Sequence, residues 1–341
     1  MLALAPMQAV TDLPFWRLMA AYGGPDVYWT EYFRVHATST LERDILDCIV
    51  RNPTGRPAVA QLIGNDIPSL IRTARELQHH PIAAVELNLG CPAPVVYRKC
   101  AGGGLLREPK RIDGILAALR EAICTPGVAF TVKTRIGFDD TDRFDELLEI
   151  FARNGPDLVT VHGRTVAEMY RTEVHYDFIG RAVRQLPCPV LANGNIHSAS
   201  RAEEVLKLTG ARGLMIGRGC VRNPWIFTQI RDHLAGRAIR LPSGREVLIY
   251  VEALYAATEP AVPQERLQVE KMKKYMNFVG AGIGPTGPAA TAPGGFLHRI
   301  RRAETRTEFF AICTDFLDHD EPMSLLPAPD AALPGAAAGP G

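Results

Sequence analysis

Seven cysteines are scattered through 341 residues, and no two stand in a Cys-x-x-Cys spacing. That argues against a zinc ribbon, and the odd number argues against a disulfide framework, so no metal site is expected. Free thiols fit a reducing cytoplasm, where the chain is expected to work. No apolar run reaches the roughly 18 residues of a membrane span, and no membrane partner is expected. The opening MLALAPMQAVTDLPFW lacks a basic n-region and a small-residue cleavage site, so no signal peptide is expected. A dominant charge is lacking too, since the formal net charge is +1. A nucleic-acid partner would have to be held by local basic patches rather than by a basic whole. What is present is 47% hydrophobic and 22% charged, enough for a large core and more than one domain. A monomer is expected.

Short apolar runs recur along the first two thirds of the chain: LALAPM (2–7), VYWTEY (27–32), PAVAQLI (57–63), AAVELNL (83–89), AFTVKTRI (129–136), DLVTVHGR (157–164), CPVLANGNI (188–196) and RGLMIGRG (212–219). Amphipathic stretches such as IPSLIRTARELQHH and SASRAEEVLKLTG lie between them. Alternating strands and helices imply a parallel sheet, and eight such units match a closed (β/α)8 TIM barrel better than an open sheet. The barrel is expected over 1–235. Beyond it, GREVLIYVEALYAATEP, PQERLQVEKMKKYMNFVG and GFLHRIRRAETRTEFFAICTDFL each read as a helix, giving a small helical domain over 244–320. By composition, 280–295 reads as a flexible loop and 321–341 as a disordered Pro/Ala/Gly-rich tail.

Catalytic residues of such barrels lie at the C-terminal ends of the strands. Here those ends carry Pro6–Met7, Glu31 with Arg34, Gln61, Asn88 with Cys91, Lys133 with Arg135, His162 with Arg164, Asn193–Gly194–Asn195 and Gly217–Arg218. Eight polar or glycine-rich ends together point to a ligand site. The small-residue turns ANGNI and MIGRG follow strands seven and eight, where backbone N–H groups close on phosphate; the plain alternative is two tight turns. Phosphate with Gln61, Lys133 and His162 suits flavin mononucleotide (FMN). Gln61 can bond the polar edge of the ring, Lys133 can stabilise negative charge at its pyrimidine end, and His162 can hold the phosphoribityl side. A satisfied core histidine is the alternative for His162.

Residues 88–94 read NLGCPAP. A thiol between Gly and Pro just past a strand is poorly placed for packing and well placed to meet a ligand. Together with APM, GGGLL, VKTRIG, VHGRT, ANGNI and IGRGCVRNPWIF, this block resembles the tRNA-dihydrouridine synthases over roughly residues 2–320. The resemblance implies reduction of the C5=C6 bond of uridine in tRNA, with hydride from FMN, NADPH as reductant and Cys91 as the proton donor on a mobile loop; Cys100 is the alternative donor. It further implies FMN contacts from Pro6, Met7, Gln61, Lys133, His162, Asn193, Gly194, Asn195, Gly217 and Arg218. Asn88 and Arg135 would contact uracil, Arg164 either the base or its own loop, and Arg34 the tRNA. In the helical domain, Lys271, Lys273 and Lys274 with Arg299, Arg301 and Arg302 would meet tRNA phosphates. TEYFRV and HGRT resemble the branch acting near tRNA position 16. Two rival readings stay open: another FMN barrel oxidoreductase acting on a free pyrimidine or enone, and a tRNA-binding protein without chemistry.

Overall fold

A computed structural model describes residues 1–258, 264–284, 292 and 294–327. All eight apolar runs are strands: β1 (Leu2–Leu4), β2 (Val27–Arg34), β3 (Ala58–Ile63), β4 (Ala84–Leu89), β5 (Ala129–Arg135), β6 (Leu158–His162), β7 (Val190–Asn193) and β8 (Gly213–Ile216). They pair in parallel and in chain order, and β1 closes onto β8 through Leu2↔Leu214 and Leu4↔Ile216. Strands covered on both faces need near-continuous apolar sequence, which is why the runs were legible. A helix follows each strand. Several begin at side-chain caps: Asp12 accepts from the Phe15 N–H, Asp66 from Ser69 and Ser198 from Arg201.

The barrel interior changes character along the strands. Ala3, Trp29, Val59, Ala84, Leu191 and Met215 form a buried cluster, with Val27, Ala129 and Leu158 packed against it. Successive inward positions lie two residues apart. Two to four residues further on, the same strands carry Gln61, Glu86, Asn88, Thr131, Lys133, Thr160, His162 and Asn193. The apolar layer holds the strand ends in register, since each large side chain fully buried there contributes about 1.5–3 kcal/mol. The polar layer then has a fixed frame. One irregularity serves it: between Trp29 and Tyr32, β2 has an extra residue against β3, so Tyr32 stands opposite Gln61. Such a bulge re-aims the side chains beyond it.

Contacts divide the chain into two units. The first comprises 1–169, 174–220 and 224–237; the second comprises 170–173, 221–223 and 238–341. In the second, the helices Gly244–Thr258 and Glu265–Val279 bury Tyr250, Leu254, Tyr255, Met272, Tyr275 and Met276. The single helix expected over 295–317 is two, Phe296–Ile300 and Arg306–Leu317. The reason is a capping box: the Thr305 side chain accepts from the Glu308 N–H while Glu308 reaches back to the Thr305 N–H, which starts a new helix. The disorder expected from 321 does not begin there. Pro322 bridges to Ser243, the Met323 N–H donates to the Pro242 carbonyl at 2.8 Å, and Leu325 is buried. In the stretch expected as a flexible loop, Gly280–Gly282 is a 3₁₀ turn with Gly280 buried against Phe296 and Leu297. Positions 285–291, 293 and 328–341 lie outside the described residues. No described helix is long and apolar enough to cross a membrane.

Candidate active site

Cys91 follows β4 and is half-buried. Its backbone is held from two sides: its N–H donates to Asn88 Oδ1 at 2.9 Å, and its carbonyl accepts from the Gly103 N–H at 3.2 Å. The GGGLL run explains itself here. A Cβ on Gly103 would come within 2.8 Å of the Cys91 carbonyl oxygen, and one on Gly102 within 3.0 Å of the Cys91 Cβ. At its cysteine the loop is held by these two hydrogen bonds. Burial pushes the thiol above its usual pKa; a backbone hydrogen bond at Ala93, the charges of Arg135 and Lys133, and the Tyr32 hydroxyl oppose that rise. The alternative, Cys100, sits at a left-handed turn (φ 52°), its carbonyl taken by Asn65 Nδ2 at 3.1 Å.

Below the cysteine runs a chain of amides. Asn88 Oδ1 also accepts from the Gly90 N–H at 2.9 Å; Asn88 Nδ2 donates to Gln61 Oε1 at 2.8 Å; and Gln61 Nε2 donates to Glu86 Oε2 at 2.5 Å. Thr131 Oγ1 donates to the other carboxylate oxygen at 3.3 Å. Burial raises Glu86 to about 7 despite the Gln61 bond and the positive charge of Lys133, and burial lowers Lys133 to about 8 despite the charge of Glu86. Tyr32 donates to Gln8 Oε1 at 2.5 Å, and burial pushes its hydroxyl up to about 12. Arg34 is exposed, its guanidinium 5.3 Å from the Tyr32 ring centre.

Arg135 is 2% exposed and tied to three carbonyls: Gly90 at 2.9 Å through Nε, and Thr165 at 2.7 Å and Met169 at 2.8 Å through Nη1. It joins the cysteine loop to the loop after β6. Asn88 is likewise occupied by the amide chain. Both were expected to meet a base, and the structure gives both a part in holding loops. Arg164 is buried, with Nη1 3.4 Å from His162 Nε2. Burial, with Arg135, Lys133, Arg164 and Arg218 around it, keeps the His162 ring well below its usual pKa and so neutral at pH 7.

At the other side of the mouth, Arg218 Nη2 donates to Asn195 Oδ1 at 3.0 Å, and Asn193 Nδ2 to the Met215 carbonyl at 2.8 Å. Gly194 has φ 130°, which favours glycine. A Cβ on Gly217 would approach Met7 Sδ at 3.2 Å. Pro6 and Met7 are half-buried beside this turn. Cations, two glycine turns and a buried amide network fit a phosphate-bearing, hydrogen-bonding cofactor such as FMN.

In the second unit, Arg266, Glu270, Lys273, Arg301, Arg302 and Glu304 line a cleft of about 360 Å³. Lys273 pairs with Glu270 at 2.7 Å, Arg301 bonds Asn277 Oδ1 at 2.9 Å, and Arg299 pairs with Asp315 at 2.6 Å. Of the six cations singled out in sequence, the cleft gathers Lys273, Arg301 and Arg302; Lys271, Lys274 and Arg299 do not line it. Arg266 joins it, and sequence reading missed that. It also missed Glu86 and Tyr32. A lone Glu inside an apolar strand, in phase with Asn88, was the available signal for Glu86. Nothing short of the β2 bulge would have revealed Tyr32.

Residues 3–280 match the family described as Dihydrouridine synthase (Dus). The chain is 34% identical over 257 residues to a Rickettsia prowazekii protein named "Probable tRNA-dihydrouridine synthase", covering 74% of this chain and 77% of that one. It is 28% identical to the tRNA-dihydrouridine(16) synthase of Neisseria meningitidis serogroup A (83% and 86% covered). It is 34% identical to the tRNA-dihydrouridine synthase B of Pasteurella multocida (66% and 67% covered). Among solved structures, the histamine dehydrogenase of Rhizobium sp. 4-9 superposes with a TM-score of 0.52 at 12% identity, over 75% of this chain and 48% of that one, a likeness of fold alone.

Proposed function

The chain belongs to the dihydrouridine synthase family of oxidoreductases, and from that premise we propose that it reduces the C5=C6 bond of uridine in tRNA, using FMN as cofactor and NADPH as reductant. Bound FMN supplies hydride for C6 of the uracil. Gln61, Lys133, His162, Asn193, Gly194, Asn195, Gly217 and Arg218, with Pro6 and Met7, are proposed to hold it. The neutral His162 ring can donate or accept a hydrogen bond without adding charge, while Arg218 neutralises phosphate.

Cys91 gives the proton that C5 requires. A thiol is needed for that, and burial keeps the proton on Sγ until it is called for. After transfer, the thiolate is stabilised by the charges of Arg135 and Lys133, and by the Tyr32 hydroxyl once it turns from Gln8 to the sulfur. Arg34, exposed at the mouth, is proposed to meet the RNA. The cleft lined by Lys273, Arg301, Arg302 and Arg266 is proposed to hold phosphates of the tRNA. A base must leave its stack to be reduced, which costs a few kcal/mol, so contacts remote from the base are needed.

The observation that carries this reading is Cys91, its backbone held by Asn88 and Gly103, in the same barrel mouth as the Gln61–Lys133–His162 set. The test is to incubate the purified protein with FMN, NADPH and unmodified tRNA and to search the tRNA by mass spectrometry for uridines that have gained two hydrogens. Dihydrouridine in tRNA, with free uridine left unreduced, is the expected result. Equal turnover of free uridine, or no product with flavin bound, would overturn it.

A further inference from the structure

Glu86 is fully buried in the middle of β4, and no step proposed above uses it. It stands at one end of the amide chain that finishes on the backbone N–H groups of Gly90 and Cys91. A carboxamide turned end for end keeps its shape, so packing alone does not decide which end of Gln61 or Asn88 points where. The two termini of the chain decide it. A carboxylate, the form Glu86 takes above about pH 7, only accepts, and a backbone N–H only donates. Starting from Glu86, Gln61 must offer its nitrogen downward and its oxygen to Asn88. Asn88 must then offer nitrogen to Gln61, which leaves its oxygen for the two N–H groups. Starting from Cys91 gives the same assignment. Turning either amide alone would set oxygen against oxygen or N–H against N–H, and a mismatched buried pair costs far more than a satisfied one contributes.

We propose that Glu86 is a positioning residue that, with the Gly90 and Cys91 N–H groups at the opposite end, fixes the polarity of this relay, and through Gln61 and Asn88 holds the backbone from which the Cys91 thiol projects; its catalytic consequence rests on Cys91 being the proton donor. Lys133 and Thr131 from β5 and Gln61 from β3 face the carboxylate and keep it in place. The relay joins the barrel interior to the cysteine loop, so that a loop after a strand inherits the rigidity of the sheet.

The polarity can be tested by reversing it. Asn88→Asp places a carboxylate against Gln61 Oε1 while Glu86 still holds Gln61 Nε2. With Glu86→Gln made as well, Gln61 can turn end for end, giving its nitrogen to the carboxylate at 88 and accepting from the amide at 86, and every partner is again satisfied. At pH 8, urea unfolding is expected to show that Asn88→Asp lowers the folding constant at least about tenfold when Glu86 is present and by less than about threefold in the Glu86→Gln background. This rescue should vanish when Gln61→Met cuts the relay. An Asn88→Asp effect indifferent to position 86 would overturn the proposal. So would a rescue that survives Gln61→Met, which would mean that two carboxylates merely repel. If Asn88→Asp alone does not fold, folding of the double variant is the same rescue, and an unfolded double variant overturns the proposal. The rate of dihydrouridine formation at saturating tRNA should recover in the same order. Unfolding needs no turnover, so a protein that makes no dihydrouridine yet shows the rescue sinks the proposed reaction and leaves the relay standing.

Discussion

The barrel mouth and the helical unit both carry arginine and lysine, and they use them in opposite ways. In the mouth, Arg135 and Arg164 are almost wholly covered, and Arg135 donates to the carbonyls of Gly90, Thr165 and Met169. Glu86 and Lys133 face each other with pKa values drawn toward neutrality by burial. In the helical unit, Arg302 and Arg266 are exposed, and the ion pairs Lys273–Glu270 and Arg299–Asp315 sit at the surface. Buried charge acts through position: low dielectric and fixed partners make each group individually indispensable. Exposed charge acts through number, is screened by salt, and is worth little pair by pair. The first arrangement suits chemistry on one base, and the second suits holding a polyanion.

That contrast can be broken in graded ways. The largest effect is expected from Cys91→Ala, which should slow tRNA reduction about 10²–10⁴-fold while leaving flavin reduction by NADPH unchanged. Stopped-flow traces of the two half-reactions separate the outcomes, and a mutant with near-normal turnover would turn attention to Cys100. Next, Arg135→Ala leaves three carbonyls without their donor and should cost about 3 kcal/mol in urea unfolding, whereas Arg302→Ala should stay within about 0.5 kcal/mol. Equal costs would erase the distinction between the regions.

A third prediction concerns pH. Glu86 has a folded pKa near 7 against an ordinary value of 4.5, so the folded state binds its proton more tightly than the unfolded state. Ionising it therefore costs nothing below about pH 4.5, and the cost grows as pH rises through 7. The stability of Glu86→Gln relative to the natural protein should accordingly rise by up to about 3 kcal/mol between pH 4.5 and 8. A flat difference would mean that Glu86 titrates normally. The smallest effect belongs to the helical unit: Lys273→Ala with Arg302→Ala should flatten the plot of log K against log salt for tRNA by roughly 0.7–0.9 per lost contact, with flavin reduction untouched.

The parts that sequence revealed, and those it hid, follow from the same physics. The eight strands were legible because strands covered on both faces must be apolar throughout. The polar strand ends were legible because Gln61, Lys133 and His162 break those runs. What sequence could not show is which donors the protein itself occupies. Arg135 and Asn88 have the right chemistry to meet a base, yet Arg135 donates to carbonyls of the loops after β4 and β6, and Asn88 bonds Gln61 of β3 and the N–H groups of its own loop. Glu86 lay hidden inside an apolar run, and Tyr32 depended on a one-residue bulge in β2. The break before Arg306 was readable in principle from Thr305-x-x-Glu308, a capping signature inside what passed for one amphipathic run.

The most direct test of the division between buried and exposed charge is a single-turnover experiment on the natural protein, following flavin oxidation by tRNA as salt rises from about 50 to 200 mM. Screening should weaken half-saturation by tenfold or more, as release of counterions from several phosphate contacts requires, and should leave the limiting rate at saturating tRNA within about twofold. A limiting rate that falls with salt while half-saturation holds steady would contradict the account.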